Sequence, residues 1–122
     1  MSETPTPTML NLHRQTGVLD LAFDDGTEAS LTAEYLRVYS PSAEVRGHGI
    51  DQWTWVFGKE NVKIEQIEPV GNYAVILHFD DGHNTGIYSW DELYKLSVNH
   101  DAFWANYLKE CEKAGKPRKS EG

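Results

Sequence analysis

The chain has 122 residues, 19 of them acidic and 11 basic, for a formal net charge of −8. That length holds one domain with one core, which four Trp, six Tyr and four Phe can fill, and the composition excludes collagen-like, low-complexity and wholly disordered classes. The acidic balance excludes broad binding to nucleic-acid backbones, and a single cysteine excludes an internal disulfide framework and an all-thiolate metal cage within one chain.

The opening MSETPTPT has no basic or apolar signal region, and its alternating Thr and Pro predict a disordered tail over residues 1–9. The basic end, KPRKSEG, predicts a second tail over 116–122, which leaves 10–115 as the single domain. The longest apolar run, Tyr73 to Leu77, is far short of the roughly 20 residues of a spanning helix. The expected setting is therefore the cytoplasm, away from membranes, and the unpaired Cys111 suits a reducing compartment.

Leu10 and Leu12 alternate with polar residues and begin a strand, and Thr16–Gly17 is a turn signal. Leu19, Leu21 and Phe23 alternate again, as in a half-buried strand. Asp25–Gly26 suits a tight hairpin, and Thr27 to Leu31 returns as its partner. Thr32 can cap a short helix through Leu36. Residues 37–60 lack a period and hold Pro41, Gly47, Gly49 and Gly58; such long irregular stretches often carry function.

Order resumes at Val62 and Ile64, with Pro69 ending or edging that strand. Gly71–Asn72 is a turn, and Tyr73 to Phe79 reads as a central strand. A two-residue turn at Asp81–Gly82 would send His83 to Tyr88 back as its partner, with Asp80 facing His83. Ser89-Trp-Asp-Glu92 is a capping box for a helix to about Val98. A last helix, capped by Asp101, runs to about Ala114 with Phe103, Tyr107, Leu108 and Cys111 on one stripe.

A weak repeat links Leu21-Ala-Phe-Asp-Asp-Gly26 to Leu77-His-Phe-Asp-Asp-Gly82. Leu31 and Ile87 follow at matching places, then helices with Tyr35–Leu36 and Leu93–Tyr94. This reads as two hairpin-plus-helix units of one α+β domain, an antiparallel sheet packed with two or three short helices; a shared turn motif without duplication is the alternative.

The aspartate pairs are read as turn residues, because Asp side chains accept from nearby backbone amides. Trp53, Trp55 and Phe57 alternate and are read as anchoring the loop to the core. Glu44, Arg46, His48 and Asp51 share the irregular stretch, where a histidine beside a carboxylate can move protons. No nucleophile elbow or phosphate loop accompanies them. His13, His48 and His100 are distant companions for His83, without metal-ligand spacing. Cys111 is read as buried and inert.

The run Glu34-Tyr-Leu-Arg-Val-Tyr-Ser-Pro-Ser-Ala-Glu-Val-Arg-Gly-His-Gly49, with Phe79-Asp-Asp-Gly-His83 and Tyr88-Ser-Trp-Asp-Glu-Leu93, closely resembles the gamma-butyrobetaine-hydroxylase-like N-terminal domain family. The resemblance spans roughly residues 10–110 and is closest to short bacterial stand-alone members of unassigned function. It implies a small α+β module that, in the hydroxylase, precedes the dioxygenase domain and holds a structural zinc on three cysteines and one histidine. Those cysteines fall here at Ser40, Ser42 and Val45, and the histidine at His83. Serine is a poor zinc ligand and valine none, so His83 is read as the remnant of that site, with no cofactor expected. Similar domains occur fused to iron–sulfur carrier ATPases, which implies an accessory role in cluster assembly.

The expected function is thus a binding or adaptor module without catalysis, accessory to iron–sulfur assembly or to an oxygenase. Its protein partner, such as an iron–sulfur carrier ATPase or another enzyme, would meet Arg37, Ser40, Ser42, Glu44, Arg46 and His48. Arg37 and Arg46 can grip a carboxylate or phosphate, or pair with Glu34 and Glu44. One alternative is a zinc or iron protein using His83, His48 and carboxylates; another is a small enzyme using His48 and Glu44.

Overall fold

In the computed structural model, which describes residues 5–41, 57–84 and 86–115, the alternating segments form two antiparallel three-stranded sheets with helices, an α+β fold. The first sheet holds β1 (Pro7–His13), β2 (Val18–Phe23) and β3 (Glu28–Thr32), with β2 central. The second holds β4 (Ile64–Val70), β5 (Ala74–Phe79) and β6 (Ile87–Ser89), with β5 central. Helix α1 (Ala33–Val38) follows the first sheet; α2 (Trp90–Val98) and α3 (His100–Lys113) follow the second. Among the described residues, no helix is long and apolar enough to cross a membrane.

Alternation decides which side chains enter the core. Leu19, Leu21 and Phe23 of β2 are buried, as are Val75, Leu77 and Phe79 of β5. Leu36, Leu93 and Leu96 meet them from the helices. Three phenols reach backbone carbonyls inside this core: Tyr35 to Leu96, Tyr88 to Leu36 and Tyr39 to Phe103. Each satisfies a buried hydroxyl that would otherwise destabilise the core it fills.

Thr32 and Ser89 cap α1 and α2, each hydroxyl accepting from the amide three residues on. Helix α1 runs two residues beyond the expected Leu36, to Val38, and all six of its residues are buried. Helix α3 starts at His100; Asn99 holds the cap position without a side-chain cap bond, so Asp101 lies inside the helix. Tyr107 and Cys111 are buried on its stripe, whereas Leu108 is 37% exposed and Trp104 packs against the core. Phe57 stacks on Tyr107; Trp53 and Trp55 lie outside the described residues.

Three expectations are corrected. Strand β1 starts at Pro7, inside the tail expected over 1–9, because a proline is tolerated as the first residue of an edge strand. The expected C-terminal tail lies outside the described residues. The strand expected over His83–Tyr88 is confined to Ile87–Ser89, where Tyr88 pairs with Val75 and is buried.

The third correction concerns the turns. Phe23 N donates to Thr27 O and Gly26 N to Phe23 O; Phe79, Gly82 and His83 repeat both bonds. Each loop therefore has three residues and ends on a glycine at φ near +90°, the geometry of a turn followed by a bulge. A two-residue loop would pair Asp80 with His83. The observed register pairs Phe79 with His83, and one residue of slip sends His83 to the core face.

The two units match in detail. Asp24 makes two hydrogen bonds with Thr6, its amide donating to the Thr6 carbonyl and its side-chain Oδ1 accepting from the Thr6 amide. Asp80 repeats both with Lys63. Asp25 accepts from the Thr27 amide and Asp81 from the His83 amide. The repeat seen in sequence is a repeated β-β-β-α unit.

Candidate functional site

Arg37 sits in the last turn of α1 and is buried, its side chain 10% exposed. Its Nε donates to Asp81 Oδ2 at 2.9 Å, and Lys59 Nζ meets the same oxygen at 2.7 Å. Asp81 Oδ1 accepts from the His83 amide at 3.0 Å. Burial by itself pushes the Asp81 carboxyl up. Hydrogen bonds from Lys59, the His83 amide and Arg37 outweigh it and hold the carboxyl well below the usual range. Arg37 Nη1 is buried and has no hydrogen-bond partner among the described residues.

Next to this charge centre, Ser40 Oγ and His83 Nε2 share a hydrogen bond of 3.0 Å. Both residues are buried, and the Phe79 ring lies beside the imidazole. Gly86 makes room for the pair: a Cβ there would overlap the Ser40 hydroxyl. An open depression of about 260 Å³ lies at the turn, lined by Gly58, Lys59, Asn61, Val62, Asp80 and Asp81.

Of the sequence-predicted residues, the structure brings Arg37, Ser40 and His83 into one neighbourhood around Asp81. Ser42, Glu44, Val45, Arg46, His48 and Asp51 lie outside the described residues. His13 and His78 are spent on the surface, bonded to Asp20 and Glu68, and His100 lies beside Asp101. Among the described residues, no group of three His, Cys, Asp or Glu side chains is placed to hold a metal. The expected Asp80–His83 pair does not form, because His83 points inward to Ser40 while Asp80 accepts from the Lys63 amide.

Two members of the charge centre were not legible as such. Lys59 lies in the aperiodic stretch, and Asp81 reads as a turn residue. Their meeting with Arg37 depends on how the units pack. The signal that was present is the repeat: Arg37 and Tyr94 hold the same place relative to the caps Thr32 and Ser89, and each bonds the second aspartate of the other unit's turn.

A family model described as gamma-butyrobetaine hydroxylase-like, N-terminal, matches residues 10–94. Two solution NMR structures share the fold. One is 42% identical with a TM-score of 0.83, covering 98% of this chain and 94% of that one. The other is 51% identical with a TM-score of 0.81, covering 97% of this chain and 88% of that one. A crystal structure of a protein of unknown function from Acidithiobacillus ferrooxidans, assigned to the DUF971 family, is 38% identical with a TM-score of 0.64. It covers 78% of this chain and 97% of that one. No curated protein matches the chain.

Proposed function

The chain belongs to the gamma-butyrobetaine hydroxylase-like N-terminal family, and from that premise we propose that it is a cytoplasmic binding module that performs no reaction itself. Its partner is a protein, and its setting is accessory: iron–sulfur cluster assembly, beside a carrier ATPase, or the service of an oxygenase. The observation that carries this reading is Arg37 Nη1, a buried cationic donor left without an acceptor among the described residues. Such a donor costs free energy in the isolated protein, on the order of 1–3 kcal/mol or more for a charged group. A partner that supplies the acceptor recovers that cost on binding.

The other side chains at the site favour recognition over chemistry. His83 shares its Nε2 with Ser40, and Asp81 is held as a carboxylate by two cations. His83 is buried and the Asp81 carboxylate is engaged by Arg37 and Lys59, so neither side chain presents a free base to open solvent.

The test is affinity purification of the full chain from its native host. Recovered proteins are compared between wild type, Arg46→Ala and His48→Ala, with folding checked by NMR. Loss of the same partner in both folded variants supports the reading, and its identity separates the cluster-assembly setting from the oxygenase setting. Partners unchanged in both variants remove it.

A further inference from the structure

We propose that the Arg37–Lys59–Asp81 centre is a receptor for one carboxylate group, which Arg37 Nη1 and the Lys59 ammonium would hold together. The inference rests on the binding-module reading and names the chemistry that reading leaves open.

Three observations carry it. The first is supply of donors. Arg37 commits Nε to Asp81 and keeps Nη1 buried and unmatched among the described residues, and Lys59 commits one contact to the same oxygen. An ammonium has three donors, so Lys59 retains capacity toward the depression it lines.

The second is charge. Two cations, Arg37 and Lys59, meet the Asp81 carboxylate here. Asp80 lines the same depression, and the chain carries −8 overall. With Asp80 counted, the two cations and two carboxylates balance, so a monoanion adds the smallest charge an anion can bring, whereas a phosphate dianion would bring twice that beside two aspartates.

The third is the internal repeat. At the equivalent contact Tyr94 donates its single hydroxyl proton to Asp25 at 2.8 Å. That neutral donor secures the turn with nothing left over. A tyrosine at position 37 would have met the same structural need. The guanidinium adds a donor, Nη1, that the described residues do not use.

The experiment is an NMR titration of the full chain at pH 7 and constant ionic strength, using acetate, inorganic phosphate or chloride as probes. The expected result is a saturable shift of the Arg37 Nε–Hε resonance and the His83 amide with acetate alone. Arg37→Lys, which keeps the charge but not the planar fork, is expected to lose the response. No saturable acetate shift overturns the proposal and leaves Nη1 bonded to water. So does tighter saturation by phosphate, or an acetate response unchanged in folded Arg37→Lys. If that variant does not fold, the wild-type Arg37 resonance decides by itself. Failure with acetate while Arg46→Ala and His48→Ala still lose their partner sinks this inference and spares the adaptor reading.

Discussion

Tyr94, on the helix of the second unit, donates its phenolic proton to Asp25, in the turn of the first, at 2.8 Å. Arg37, on the helix of the first unit, returns the contact to Asp81 in the turn of the second, at 2.9 Å. The units are latched reciprocally, helix to turn in both directions. Tyr94→Phe keeps the ring edge-on to Phe23, at 5.2 Å between centroids, and deletes only the bond. A modest fall in melting temperature is expected, with an unchanged denaturant slope; an unchanged melting temperature would show that this latch contributes nothing.

The twin turns make a paired prediction. Gly26 and Gly82 stand at φ of +91° and +92°, and a Cβ at either would meet nothing within 4 Å. The cost of alanine is then purely that of the left-handed backbone, about 1–2 kcal/mol at each site. Urea denaturation of Gly26→Ala and Gly82→Ala should give near-equal losses. Losses that differ by more than about 1 kcal/mol, the width of that range, would contradict the equivalence of the two turns.

Asp81 sets an acid dependence. Its carboxyl is held below the usual range in the folded state, so it contributes stability that is fully present above the unfolded-state value of about 3.9. That contribution is lost as pH falls from there through the lower folded value. Stability curves by urea at descending pH should therefore steepen below about pH 4 in wild type. Asp81→Asn should be less stable at pH 7 and show a shallower acid limb. An identical acid slope in both proteins would assign the acid sensitivity elsewhere.

Periodicity and turn chemistry made most of the fold legible. Leu19, Leu21 and Phe23 announced their inward face by alternation alone, and Thr32 and Ser89 announced their helices by cap spacing. His83 shows what local pattern could not give. Both loop lengths fit an Asp-Asp-Gly turn, and the one-residue difference between them decides whether the imidazole faces Asp80 or the core. Tyr88 differs for another reason: one extra residue between the turn and β6 moves the inward position of the second unit from Ile87 to Tyr88. The Arg37–Lys59–Asp81 centre is a product of tertiary packing, which periodicity does not encode.

Gly86 tests whether the Ser40–His83 bond matters. A methyl group there would overlap the Ser40 hydroxyl and approach the rings of Pro41 and Tyr88, both at 3.4 Å. Overpacking of this kind costs about 1–3 kcal/mol. Gly86→Ala should lower the unfolding free energy from urea curves by that amount and move the His83 imidazole nitrogen resonances, since the Nε2 contact must lengthen. A stable variant with unshifted His83 resonances would place Ser40 and His83 in contact without an energetic bond.

The family resemblance puts zinc-binding cysteines at Ser40, Ser42 and Val45, and the one such position that is described lies 3.0 Å from His83 Nε2. Ideal zinc bonds to sulfur and nitrogen in a tetrahedron hold those two atoms about 3.5 Å apart. A thiolate at Ser40 would thus need only a small opening of the existing contact. Wild-type chain purified without a histidine tag should carry no stoichiometric zinc and should lose little stability with chelator. The triple variant Ser40→Cys, Ser42→Cys, Val45→Cys should bind one zinc per chain. Its melting temperature should rise with zinc concentration, by the equivalent of about 2.7 kcal/mol at 100 times the dissociation constant. Tight zinc in the wild type would mean that other ligands complete the site around His83. A triple variant that folds yet ignores zinc would break the positional match on which His83 is read as a remnant ligand.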